Sequence, residues 1–366
     1  MANSDFQLKR LGTLMEPQAG NPQEALGVLN PAAARGQDGE LYIFPRMVAD
    51  RNFSRIGIAR VIFDKSGDPK DVERLGVVLE PETDYELRGD GTGGCEDPRI
   101  SFFEPHRQYV MTYTAWSPNG PRVAMAVSKD LRNWRRLGLI VSTPHDGMDA
   151  AHVDDKDACI FPRAVENPSG HPSLALLHRP LFPGTRPEET AHRHPSAHAE
   201  LHRESIWICY CATAMEEPEP HHLWRFTSHR RLASPVAAWE ELKIGNGTPP
   251  VLTKFGWMVF YHGVCAESVP DKPRRLKYSA GVMVMDRDKP HSILYRSDKP
   301  VLRPELPEEE IGTVGNVVFP TGIDRRTDIG KPDRYDVYYG MADDRIGVAT
   351  MDLPDSLPPY GREERV

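Results

Sequence analysis

The sequence predicts an all-β chain folded as a five-bladed β-propeller. Two observations carry that prediction: long helical periodicity is nearly absent, and one strand pattern recurs five times. In each copy a proline-containing segment leads into an apolar strand that ends on polar residues, and another strand follows. The copies open with NPAAA, EDPRISFF, CIFPRAV, TPPVLT and VVFPTGID. Their main strands are ELYIFPR, QYVMTYTA, SLALLHRP, GWMVFYHGV and YDVYYGMAD. The anchoring prolines stand at 31, 98, 162, 250 and 320, so the intervals are 67, 64, 88 and 70 residues. Each interval has room for three or four strands of ordinary length. Such units without crossover helices suggest radial repetition rather than an irregular β-sandwich.

The domain organisation follows. Residues 26–355 are expected to form one propeller domain, residues 1–25 an N-terminal arm or cap, and residues 356–366 a C-terminal tail. The third interval is long because of a His- and Pro-rich stretch, 183–205. There His198 and His202 have the i, i+4 spacing of a helical metal pair, but no third ligand stands out. An exposed loop is the expectation, with no metal.

Composition excludes several classes of function. The 34 prolines and 29 glycines are spread along the chain, which marks frequent turns rather than a disordered linker. A formal net charge of −8 without a basic block argues against nucleic acid or an anionic membrane as partner. No run approaches the roughly 18 apolar residues of a membrane span. The opening MANSDFQLKRLGTLMEP lacks the apolar core of a signal peptide. Five cysteines, at 95, 159, 209, 211 and 265, are odd in number and lack zinc spacing. They read as reduced thiols in a cytoplasmic protein. Homo-oligomer formation is left open.

The strand ends supply the chemistry. They are Arg46, Tyr113 with Thr114, His178 with Arg179, Tyr261 with His262, and Tyr339 to Asp343. The opening segments add Asn30, Glu96, Asp97 and Lys156. Groups that bind or ionise recur at one place in the repeat, as expected if distant segments converge on one polar pocket. Cations are plentiful there: Arg46, Arg55, Arg60, Lys156 and Arg179. An inverting glycosidase needs a second carboxylate to activate water. An attacking phosphate needs cations instead, and arginine suits its oxygens. One acid must still protonate the leaving oxygen. One acid facing a cation cluster is the pattern of a phosphorylase.

EDPR, with NPAA before it and FPR, LHRP, GTPPVLTKFGWMVFYHG and YYGMAD elsewhere in the chain, resembles glycoside hydrolase family 130. The resemblance spans residues 28–352. It implies a five-bladed propeller and a mannoside phosphorylase. Asp97 is then the proton donor, relayed through a hydroxyl of the mannose ring. Asn30, Arg46, Tyr261 and Asp343 match sugar contacts. Lys156, Arg179 and one of Arg55 or Arg60 match the phosphate cluster, with His262 near the same anion. Glu96 stands beside the acid where some members carry an aromatic residue, and is counted with the sugar contacts.

In the stretch Gly93–Ile100, GGCEDPRI, the glycines allow a tight turn and Pro98 biases Asp97 toward an extended conformation. Strand alternation then puts Asp97 and Arg99 on one face, toward the channel, and Glu96 on the other. A neighbouring carboxylate raises the pKa of Asp97 and helps it keep its proton, unless Arg99 opposes this.

The expected reaction is inverting phosphorolysis of a β-mannoside to α-mannose 1-phosphate, with inorganic phosphate as co-substrate and no cofactor. The alternatives are a β-mannoside hydrolase of the same family and a non-catalytic sugar-binding propeller.

Overall fold

A computed structural model describes residues 5–143, 150, 153–182, 203–215, 225–267 and 274–360. His198 and His202, and the His-rich stretch as far as residue 202, lie outside the described residues. The chain is all-β; among the described residues the one α-helix is the single turn Pro307–Glu310. Long apolar runs become strands because both faces are covered. In Gly256–Glu267, Trp257, Val259 and Tyr261 enter one core cluster while Met258 and Phe260 enter another.

The strands form five antiparallel units. The first is Gly27–Arg35, Leu41–Ala49, Phe53–Phe63 and Pro69–Leu79. The second is Gly93–Phe103, Gln108–Ser117, Gly120–Ser128 and Arg135–Leu139. Asp154–Ile160, Pro172–Leu181, Ile206–Cys211 and Arg225–Ala233 make the third. Lys243–Asn246, Gly256–Glu267, Arg275–Met285 and Ile293–Arg296 make the fourth. The fifth joins Val318–Arg325, Arg334–Met341 and Arg345–Asp352 to Lys9–Met15. Residues 1–25, expected as an arm or cap, therefore include the last strand of the fifth unit. That strand lies beside the chain's C-terminal strand.

Each unit is bonded to the next. Phe53 and Ser54 pair in parallel with Gly93 and Gly94, joining the first unit to the second. A Cβ on Gly94 (φ +114°) would sit 2.1 Å from the Ser54 carbonyl oxygen, so the contact demands glycine. The Ser101 hydroxyl donates to the Ile160 carbonyl (3.0 Å), from the second unit to the third. The Asn246 amide lies 2.8 Å from Cys159 Sγ, between the fourth and third. Tyr278 N–H donates to Asn316 O (3.0 Å), and the Thr321 hydroxyl to Pro31 O (2.9 Å), joining the fourth unit to the fifth and the fifth to the first.

A second repeat lies beneath the strands. Glu24, Glu86, Glu240 and Glu309 are each at most 1 % exposed and each precedes a unit. Each carboxylate accepts from at least one backbone N–H group and from an arginine on that unit's last strand. The arginines are Arg74, Arg136, Arg296 and Arg10. In three units a tyrosine of the main strand donates to the same carboxylate: Tyr113 to Glu86 (2.6 Å), Tyr261 to Glu240 (3.0 Å) and Tyr339 to Glu309 (3.0 Å). The carboxylates fasten each unit's lead-in to its outer strand, and Arg10 shows that Lys9–Met15 fills the outer position of the fifth.

Breaking one anchor strands a buried charge. Arg296→Met leaves Glu240 without its cation and is expected to cost about 3–5 kcal/mol. Tyr261→Phe removes one hydrogen bond and costs about 1 kcal/mol. Denaturant unfolding of both variants checks the order; equal losses would contradict it.

Candidate active site

The polar groups converge where the first strand of each unit breaks register. The shifts fall between Leu29 and Ala32, Glu96 and Arg99, Lys156 and Cys159, and Pro320 and Gly322. In the fourth unit Gly247 N–H and Thr248 N–H both donate to Phe260 O (3.1 and 2.9 Å). The bulged residues Asn30, Asp97 and Asp157 have φ of +44°, +47° and +56°. Asn and Asp are the non-glycine residues that tolerate this left-handed region best. Bulges re-aim side chains and interrupt alternation.

That interruption corrects the reading of EDPR. Asp97 is left-handed, not extended. Arg46 donates to Glu96 Oε1 (2.7 Å) and to Asp97 Oδ1 (3.3 Å), so both carboxylates face one guanidinium. Asn30 Nδ2 also donates to Asp97 Oδ1 (2.9 Å). Arg99 turns instead beneath the site. It donates to the backbone oxygens of Asp97 (2.8 Å), Gly247 (3.1 Å) and Asn246 (3.3 Å), and lies 3.5 Å from Asp157. Asp343 sits at the tip of the hairpin after Arg334–Met341. Val28 N–H donates to the adjacent Asp344 O (3.0 Å), which brings that hairpin to the first strand of the first unit.

The electrostatics divide the acids. Burial raises Asp97, but Arg46, Arg99, the Asn30 hydrogen bond and Lys156 outweigh it and hold the carboxyl below its ordinary value. Burial prevails at Glu96, which is raised despite Arg46 and Lys156. Asp343 is pushed up to about 6 by burial, and by Asp97 and Glu96 against Arg46. The neighbouring carboxylate thus does not keep Asp97 protonated in the ligand-free site; the proton favours Glu96 and Asp343.

Beside these acids lies a cleft of about 880 Å³. Lys156, Arg179, Lys243, Arg88 and Arg274 line it, and among the described residues only Asp154 and Glu204 are acids there. Both acids are engaged, Asp154 with Arg122 (2.7 Å) and Glu204 with Arg179. Arg179 also holds Asp157 (2.6 Å). Lys156 is half-buried with its ammonium 4.1 Å from the centre of the Trp116 ring. Burial lowers its pKa against the pull of Glu96 and Asp97. Among the described residues no carboxylate oxygen lies within ion-pair distance of it. His262 packs behind, with Nε2 3.7 Å from Asp157 Oδ2. Burial pushes it down to about 3, so it is neutral at any working pH.

Three expected contacts lie elsewhere. Arg55 pairs with Glu80 (2.9 Å), because the hydroxyl of Ser54, the previous residue on the strand, takes the bond from Arg46 and so faces the site. Arg60 is farther along the strand, exposed and paired with Glu73 (2.6 Å). Tyr261 is spent on the Glu240 anchor inside its unit. Trp116, Asp157, Glu204, Lys243 and Arg99 were missed. The one sequence signal for Asp157 is Gly245, where a Cβ would meet Asp157 Oδ2 at 2.3 Å and His262 Cε1 at 2.4 Å.

Asp343 gives a test by pH. Its folded pKa, about 6, lies above the ordinary 3.8. It therefore adds stability at low pH and loses it as pH rises through about 6. Asp343→Asn should melt progressively higher relative to the wild type between about pH 4 and 7. A constant difference in melting temperature across that range would contradict the assignment.

Known proteins resemble the chain along nearly its whole length. A family profile described as β-1,4-mannooligosaccharide phosphorylase matches residues 7–357. The 1,2-β-oligomannan phosphorylase of Thermoanaerobacter sp. (strain X514) is 29% identical over 359 residues, 96% of this chain and 99% of the relative. The β-1,2-mannobiose phosphorylase of the same strain is 30% identical over 262 residues, 71% of this chain and 67% of the relative. Among solved structures, the β-1,2-mannobiose phosphorylase from Listeria innocua, in complex with β-1,2-mannobiose, superposes with a TM-score of 0.67 at 21% identity. It covers 95% of this chain and 97% of its own, a likeness of fold. Matched by the family profile along nearly its whole length, the chain belongs to glycoside hydrolase family 130.

Proposed function

We propose that the chain is an inverting β-mannoside phosphorylase, built as a single five-bladed propeller with the site at its axis. The ring of bonds from each unit to the next, and from the fifth to the first, supports that arrangement. The single observation that carries the activity is Lys156. A half-buried ammonium with no carboxylate at ion-pair distance among the described residues, facing a cleft beside a buried acid, is matched by an anionic ligand.

In this reading Asn30, Arg46, Glu96 and Asp343 bind the sugar, and Lys156 and Arg179 bind inorganic phosphate. His262 lies 3.7 Å from Asp157, the carboxylate that holds Arg179. A phosphate oxygen bonds to the anomeric carbon from the face opposite the leaving group. The glycosidic C–O bond breaks, and the Asp97 proton reaches the leaving oxygen through a hydroxyl of the mannose ring. The products are α-mannose 1-phosphate and a shortened acceptor, with no cofactor required. Asp97 must first gain its proton. Phosphate neutralises Lys156, one of the charges that hold Asp97 down, so binding the nucleophile promotes protonation of the acid. Five free cysteines and the absence of any described helix able to cross a membrane fit a cytoplasmic enzyme.

Lys156→Met should raise the phosphate concentration needed for half-maximal rate by about tenfold or more, since one charge-assisted bond contributes roughly 1.5–3 kcal/mol. Affinity for the mannoside should change little. Asp97→Asn should lose about 10²–10⁴-fold in turnover while still binding mannose. Initial rates over a phosphate series, with β-1,2- and β-1,4-mannobiose as substrates, give both numbers. An unchanged phosphate response in Lys156→Met, or wild-type turnover in Asp97→Asn, would overturn these roles.

A further inference from the structure

The strands that bring Lys156 and Arg179 to the cleft carry a second set of polar groups on their other face. Asp155 precedes Lys156 and His178 precedes Arg179, and alternation sends them away from the cleft. Asp155 Oδ2 lies 2.8 Å from His178 Nδ1. Leu176 pairs with Cys209 on the adjoining strand, so Cys209 shares a face with His178. On the next strand the register slips between the partners of Ile208 and Tyr210. Ser228 there has φ of +55°, and the irregularity brings His229 to the same place. His178, Cys209 and His229 are all buried, and their ligand atoms lie within 4.8 Å of one another.

We propose that His178 Nε2, His229 Nδ1 and Cys209 Sγ form a structural site for a thiophilic divalent cation, zinc being the fitting class, with Asp155 as the outer carboxylate. Three geometric facts favour this over a chain of hydrogen bonds alone. His178 Nε2 and His229 Nδ1 are 3.4 Å apart. That is at the long limit for a hydrogen bond, but two ligands of a tetrahedral zinc, each at about 2.0–2.1 Å, stand about 3.3–3.4 Å apart. The Asp155 bond to Nδ1 fixes the tautomer that leaves His178 Nε2 bare, the usual carboxylate–histidine–metal arrangement. Among the described residues Asp155 Oδ1 is buried with no hydrogen-bond partner, so the carboxylate keeps an unused acceptor. A coordinating thiol gives up its proton when the metal binds. The ion would clamp three strands of the third unit just behind the two residues assigned to phosphate.

The test uses the full, untagged chain, stripped with a chelator and titrated with zinc or cobalt(II). One cobalt per chain should bind with the near-ultraviolet thiolate-to-metal absorption that only a cysteine ligand produces. That band separates the site from the histidines between 192 and 202, which carry no thiol. Cys209→Ser should abolish the band and Cys211→Ser should keep it. His229→Gln, which retains the thiol, should weaken cobalt binding tenfold or more. Zinc should raise the thermal midpoint of the stripped wild type and leave that of Cys209→Ser unchanged, and affinity should increase with pH. A wild type without the thiolate band, or a band that survives in Cys209→Ser, would overturn the site. Should Cys209→Ser fail to fold, the His229→Gln titration decides: unchanged affinity overturns it.

Discussion

Where the chain enters each unit, its first strand breaks register, and the site depends on that irregularity. A regular strand puts neighbouring side chains on opposite faces. It cannot aim Glu96 and Asp97 at one arginine. The bulge does so, by holding Asp97 at φ +47° with an extra residue against its partner strand. Backbone in this region is mildly unfavourable for any side chain and concentrates at functional sites. Asn30 and Asp157 occupy the same position in their own units. One backbone device, repeated, thus delivers the amide that bonds to Asp97, the proposed acid, and the carboxylate that holds Arg179.

The charges so assembled are unequal in a useful way. Arg46 lies against two carboxylates, and Arg179 against Asp157 and Glu204. These pairs keep buried charge compensated and fix the side chains in place. Lys156 also faces the cleft, and among the described residues no carboxylate lies within ion-pair distance of it. Its position couples the two halves of the site, because it lowers Asp97 and is itself perturbed by Arg179. An anion that occupies the cleft therefore acts on the acid from a distance. In the reading proposed here, protonation of the donor and arrival of the nucleophile are linked through one ammonium group.

Much of this was legible in the sequence, and the failures share a cause. Proline-led segments and polar strand ends mark the five units and point to Asn30, Arg46, Asp97, Lys156 and Arg179. Face assignments failed wherever a bulge intervened, as at Glu96, since period-two alternation has no way to register an extra residue. Arg55 and Arg60 were misplaced because a cation in a strand shows neither its face nor its carboxylate partner. Tyr261 looked like a strand-end ligand because the Glu240 that occupies it lies 21 residues away. The anchors did leave a trace: Glu24, Glu86 and Glu240 stand 50, 50 and 56 residues before Arg74, Arg136 and Arg296. The fourth anchor runs from Glu309 to Arg10, because Lys9–Met15 supplies the outer strand of the fifth unit.

The most direct measurement is the product formed by the purified wild type from a β-mannobiose, with and without inorganic phosphate, followed by phosphorus and proton NMR. The account predicts cleavage only when phosphate is present, with α-mannose 1-phosphate and free mannose from the acceptor side accumulating in equal amounts. Cleavage at the same rate without phosphate, giving mannose alone, would contradict it.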